Sequence, residues 1–137
     1  MPFGLQSGQL AGVRIRLRSV STKAGSKAEE IAIAGDGVVV LRAGDRERQG
    51  KVSAAAVERL LELIEREGIE NWDADSKGRS SHYVARAILV EVNGAVRKQV
   101  EVRGEAFPEF AHASGAIRML AAQGCPEVTD GTFFQRF

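Results

Sequence analysis

From Val13 the chain alternates between apolar and charged positions. Val13, Ile15 and Leu17 fall on one side and Arg14, Arg16 and Arg18 on the other, the period-two pattern of a half-buried strand. Residues 1–12 are rich in Gly, Gln and Ser and read as a loose segment, and Ser19 to Ala28 reads as a loop. Ile31–Ala34 and Val38–Leu41 flank Gly35-Asp36-Gly37, a hairpin signal that predicts positive φ at both Asp36 and Gly37. Ala43 to Gly50 is charged and reads as a loop. Ser53 then suits a helix N-cap, and Val57, Leu60, Leu61 and Ile64 recur at helical spacing, with Glu58, Glu62, Glu65 and Arg66 outside. Gly68 suits the helix stop, with Ile69 packing back beneath it. Trp72 precedes a polar loop from Asp73 to Ser81. A long hairpin is predicted from about His82 to Arg103, turning at Asn93-Gly94. Pro108 fits the first turn of a second helix, whose inner stripe is Phe110, Ser114, Ile117, Leu120 and Ala121 and whose end is Gly124. Residues 126–137 form a tail with Phe133, Phe134 and Phe137.

Hairpin, loop and helix thus occur twice. Gly37 lies 31 residues before Gly68, and Gly94 lies 30 before Gly124. The fold expected over residues 13–125 is α+β: a five-stranded antiparallel sheet with two helices on one face, in the order β-β-β-α-β-β-α. One feature conflicts with a simple two-layer packing. Val84, Ile88, Val90 and Val92 share one strand face, while Tyr83, Ala85, Ala87 and Leu89 share the other. A strand apolar on both sides is expected to be covered on both. The candidate covers are the Phe-rich tail, a second copy of the chain, or a partner.

Length and charge narrow the field. The 137 residues suffice for one hydrophobic core, and 44% hydrophobic with 27% charged is an ordinary globular composition. A net charge of +1 marks no nucleic-acid binder, although residues 1–28 hold five basic groups and no acid. No apolar run reaches the roughly 18 residues of a membrane span. The start lacks a basic region followed by an apolar run, so the expected location is cytoplasmic. Export, with the signal absent from this chain, is the alternative. Cys125 is the sole cysteine, which rules out an internal disulfide.

Candidate chemistry falls away on inspection, and neither a catalytic group, a metal nor a cofactor is assigned. Asp73 to Gly78 imitates the start of a calcium loop, but Lys77 replaces an oxygen ligand and Val84 stands where a bidentate Glu belongs. Gly44 to Lys51 has five residues between its glycines where a phosphate loop has four, and Val52 replaces the Ser/Thr. His82 neighbours Ser80 and Ser81, too close in sequence for a triad, and His112 falls on the solvent side of its helix. Cys125 follows a helix C-terminus, whose partial negative charge disfavours a thiolate. The specific feature that remains is the Arg14, Arg16, Arg18 row, with guanidinium groups about 6.5–7 Å apart along one strand face. Such a row suits an acidic partner or, as the plainer reading, a solvated sheet edge guarded by cations, with Glu29 and Glu30 as neighbours to pair with. Bases would lack aromatic side chains to stack on near the row.

The run from Ile15-Arg16-Leu17-Arg18 to Gly35-Asp36-Gly37, the helix, Trp72, the Asn93-Gly94 hairpin and the second helix resemble a bacterial family of small domains of unknown function with repeated hairpin-helix units. The resemblance covers about residues 13–122, lacks the family's frequent Cys-Pro near the first strands, and implies a layout but no activity. The leading expectation is a non-enzymatic protein-interaction module, homodimeric through the second sheet face or bound to another protein, with Phe133, Phe134 and Phe137 either clamping a partner or completing the core. The second is a small-molecule-binding protein or minor enzyme with a pocket between sheet and helices near Trp72, His82 and Tyr83. The third follows the strand and helix order, which is similar to that of type III secretion chaperones. Those open with a helix and are acidic, whereas this chain has a pI near 7.9.

Overall fold

The computed structural model describes residues 2–6, 8–21, 28–72, 75–77, 84–129 and 133–134. The alternating run forms β1 (Val13–Ser21), with Val13, Ile15, Leu17 and Ser19 buried. β2 (Glu29–Ala34) and β3 (Val38–Ala43) make the first hairpin, and β4 (Arg46–Lys51) folds back along β3. Helix α1 (Ala54–Arg66) follows. After it come a short strand β5 (Asp75–Lys77), the hairpin of β6 (Val84–Val92) and β7 (Ala95–Arg103), and helix α2 (Pro108–Gly124).

The sheet order is β4-β3-β2-β1-β6-β7-β5. The fold is α+β with two helices, as expected, but six strands run antiparallel where five were expected, and β5 adds three residues parallel to β7. The order of elements changes accordingly, with β4 ahead of α1 and β5 between α1 and β6. The added antiparallel strand is β4, whose sequence Arg-Glu-Arg-Gln-Gly-Lys has no apolar residue. It lies at the sheet edge and carries polar side chains on both faces, with a glycine where the end of α2 touches it, so it shows none of the alternation that marks a half-buried strand. Gly44, at φ 63°, supplies the tight turn that brings Arg46 opposite Ala43.

β1 pairs with β2 on one side and with β6 on the other. The two hairpins flank it, and the repeated glycines fall at real turns and stops: Gly37 and Gly94 in the hairpin turns, Gly68 past α1 and Gly124 at the end of α2. Asn93 and Gly94 both take positive φ (52° and 81°). In the first hairpin only Gly37 does so (φ 100°); Asp36 instead accepts the Val38 N–H on its Oδ1 at 3.1 Å.

Both helices cover the face that carries Ile15, Ile31, Val39, Ile88 and Val100, which join their inner side chains in one core. Ser53 Oγ accepts the Ala56 N–H at 3.1 Å and caps α1, which buries Val57, Leu60, Leu61 and Ile64. Past Gly68, Ile69 is buried and the Trp72 indole donates to the Glu67 carbonyl at 3.0 Å. α2 buries Phe110, Ala113, Ile117, Leu120 and Ala121; Ser114, expected in that stripe, is turned partly out of it. Phe3 and Leu5 of the segment expected to be loose are both buried in the core. No described helix is long and apolar enough to cross a membrane.

Candidate functional site

Opposite residues of paired strands share a sheet face. Arg14, Arg16 and Arg18 therefore lie on the face turned away from the helices, in register with Ala34, Ala32 and Glu30 of β2 and with Glu91, Leu89 and Ala87 of β6. The row is not at a sheet edge, which corrects the plainer reading of the sequence. β1 is central, so the guanidinium groups stand in the middle of the open face. Alternation along one strand shows which side chains share a face but not where the strand sits in the sheet.

The charges here are ordered. Glu47, Arg42, Glu30 and Arg18 follow one another across β4, β3, β2 and β1 in a single register row. Arg42 Nε contacts Glu47 Oε1 at 3.0 Å, and Arg18 Nε lies 3.6 Å from Glu30 Oε2. Arg16 reaches diagonally both ways: Nη1 donates to Glu30 Oε1 at 3.1 Å, and Nε lies 2.7 Å from Glu91 Oε1 without the alignment of a hydrogen bond. Glu29 faces the helices instead, opposite Ser19, and is buried there.

Arg16, Glu30 and Glu91 are only 16–17% exposed, so this network is screened less than a surface pair. Arg16→Ala would leave Glu91 without its cation and Glu30 with Arg18 alone. The expected loss, discounted for residual solvent, is about 1–2 kcal/mol in urea unfolding, with smaller losses at Arg18, which is 42% exposed. An Arg16→Ala variant as stable as the parent would show that the network contributes nothing.

Arg14 has no ion-pair partner among the described residues. It stands over a groove of about 240 Å³ that runs along β2. The groove exists because β2 presents the short side chains of Ala32 and Ala34 between Arg14 and Arg16 on β1 and Val38 and Val40 on β3; Asp36 and Arg42 also line it. Val20 (44% exposed) and Val96 (52%) are on the same face. The third large apolar side chain that is exposed, Met119, is on α2.

The remaining sequence candidates separate. Trp72 is committed to structure. Besides its bond to Glu67, its ring meets Phe107 edge-on at 5.1 Å and lies 6.2 Å from Phe110, and its carbonyl accepts from Lys98 Nζ at 3.1 Å. His82, Tyr83 and Phe137 lie outside the described residues, and with them the pocket expected around Trp72. Phe133 and Phe134 are buried in the core and stack edge-on at 4.9 Å. Arg46 and Arg48, which share the helix-side face with Ala43 and Leu41, place their guanidinium carbons 4.9 and 5.9 Å from the Phe133 ring centre. These two tail residues therefore complete the protein's own core and do not cover the open face.

His112 is exposed, with Nδ1 at 2.5 Å from Glu67 Oε1. Cys125 is buried, and its thiol pKa is pushed up by burial first and by the Glu127 carboxylate second. A thiol held neutral in this way is a poor nucleophile. The chain matches no protein-family model, and no curated protein is similar enough to count as a relative.

Proposed function

We propose that the protein is a non-enzymatic interaction module that pairs with a second copy of itself through the open face of its sheet. The observation that carries this is the composition of that face: a groove floored by Ala32 and Ala34 and rimmed by charged side chains, two exposed valines, and cations and carboxylates in alternation. A two-fold axis lays one patch on its own twin, so the patch must suit itself. A face of a single charge sign would repel its copy; here both signs alternate across strands, and Arg14 is left with a guanidinium to pair across the interface. The helices and the tail residues Phe133 and Phe134 pack on the opposite face, so among the described residues no further layer lies over this one.

Val40 is partly exposed on the groove wall. Val40→Glu replaces an apolar part of the groove wall by a charged side chain that the second copy would have to desolvate. Its expected cost to the isolated fold is about 1 kcal/mol or less. Self-association measured by sedimentation velocity should weaken at least about tenfold, which corresponds to about 1.4 kcal/mol. Unchanged association in a folded Val40→Glu variant would remove the groove from the interface.

A further inference from the structure

The helix-side face holds a second opening, a cavity of about 270 Å³ between α2 and the middle of the sheet. Leu17 forms part of its wall from β1 and Arg86 from β6, while α2 supplies Ala111, Ser114, Gly115 and Arg118. These α2 residues recur at i, i+3, i+4 and i+7 and so share one helix side. That side is small where the neighbouring stripe of Phe110, Ile117 and Leu120 is large. Gly115 is the telling residue. A glycine inside a helix is less stable than alanine. Yet a Cβ at Gly115 would meet nothing within 4 Å. Packing does not require the glycine; its absence of a side chain leaves the space open.

The charged side chains lining this space are both guanidinium groups, Arg86 and Arg118. Arg118 Nε is buried and has no hydrogen-bond partner. The hydroxyl of Ser19, a fully buried residue, is likewise without a partner. Ser19 lies on the same face of β1 as Leu17 and directly opposite Arg86, which places it beside the cavity. A guanidinium carries five N–H donors, so Arg86 can serve a ligand along with any contact it makes in the protein. Ser114 Oγ donates to the Ala111 carbonyl at 3.1 Å. The buried Glu29 lies on β2, on the other side of Ser19 from Arg86, and does not line the cavity. Among the described residues, cations line the space and no carboxylate does. Buried donors left unmet are costly and are ordinarily satisfied.

We infer that this cavity binds a small oxyanion, held by the Arg86 and Arg118 guanidinium groups. Phosphate and carboxylate share the recognising chemistry, planar or tetrahedral oxygens facing a guanidinium fork. The site is independent of the open face.

The test titrates the full chain with sodium phosphate and, separately, sodium malonate, against sodium chloride at equal ionic strength. Melting temperature and calorimetric heat are followed. A saturable rise in melting temperature with phosphate or malonate beyond the chloride control is expected, by mass action on the folded state. Phosphate alone would mark a phosphate-bearing ligand and malonate alone a carboxylate. Gly115→Leu fills the space while improving helix propensity, and it should weaken binding at least about tenfold. Arg118→Gln should do the same by removing the cation. If Arg118→Gln fails to fold, Gly115→Leu decides. No saturable effect of either anion up to about 50 mM, or binding that persists undiminished in Gly115→Leu, would overturn the site.

Discussion

Changing Phe133 and Phe134 together to alanine is expected to cost about 5 kcal/mol or more, enough to unfold most of the population of a domain of ordinary stability. Both rings are buried, 3% and 5% exposed. They pack on each other, so their losses will not simply add. Each truncation removes an aromatic from a core with few ways to collapse into the gap, at about 3–5 kcal/mol for one ring. A smaller part comes from β4: Arg46 Nη2 donates to the Phe133 carbonyl at 2.6 Å, and Arg46 and Arg48 sit over its ring. Cation–π contacts at exposed sites contribute about 0.5–1 kcal/mol. Chemical denaturation followed by circular dichroism checks this. A tail that served only to grip a partner would leave monomer stability unchanged on the same double substitution, and that result would contradict its place in the core.

Gly50→Val is expected to destabilise by about 3 kcal/mol, against the direction that strand propensity alone suggests. Gly50 is on edge strand β4, where valine would ordinarily be favoured. The end of α2 presses on it. A Cβ at Gly50 would lie 2.1 Å from the Gly124 carbonyl oxygen and 2.7 Å from Cys125 Sγ. From the other side, a Cβ at Gly124 would lie 3.0 Å from the Lys51 backbone nitrogen. Two glycines thus let a helix end and a strand touch through their backbones, and neither backbone is free to yield. Gln49→Val, one residue earlier and exposed, is the control; it should change stability by about 0.5 kcal/mol or less. Equal behaviour of the two valines would show that the helix end is not seated on Gly50.

What could be read from the chain follows from how local each signal is. α1 was legible because Ser53, the Val57–Leu60–Leu61–Ile64 stripe and Gly68 agree within one stretch. The Asn93-Gly94 turn was legible for the same reason. β4 was not, because an edge strand with polar side chains on both faces, and a glycine where the end of α2 touches it, carries no period-two pattern; only Gly44-Asp45 signals the turn before it. The arginine row was visible as a row, but its position in the sheet depends on β6 pairing with β1 across some seventy residues of chain, a non-local choice that no spacing encodes. The apolar character of Leu89, Ala85 and Ala87 suggested a covered face. Leu89 is buried on that face, opposite Arg16 and Gln99 in register, and Ala85 and Ala87 beside it are half-buried. The cavity under α2 leaves no mark in the sequence, because Ser114 fits the helical stripe of Phe110 and Ile117 and the polar Ser19 has the composition of a loop.

The most direct measurement is solution molar mass by size-exclusion chromatography with light scattering, over a wide range of protein concentration. Self-association through the open face predicts a mass that rises with concentration toward twice 14.8 kDa and falls back in the Val40→Glu variant. A mass of 14.8 kDa at every concentration would contradict it and leave the groove over Ala32 and Ala34 without the second copy assigned to it.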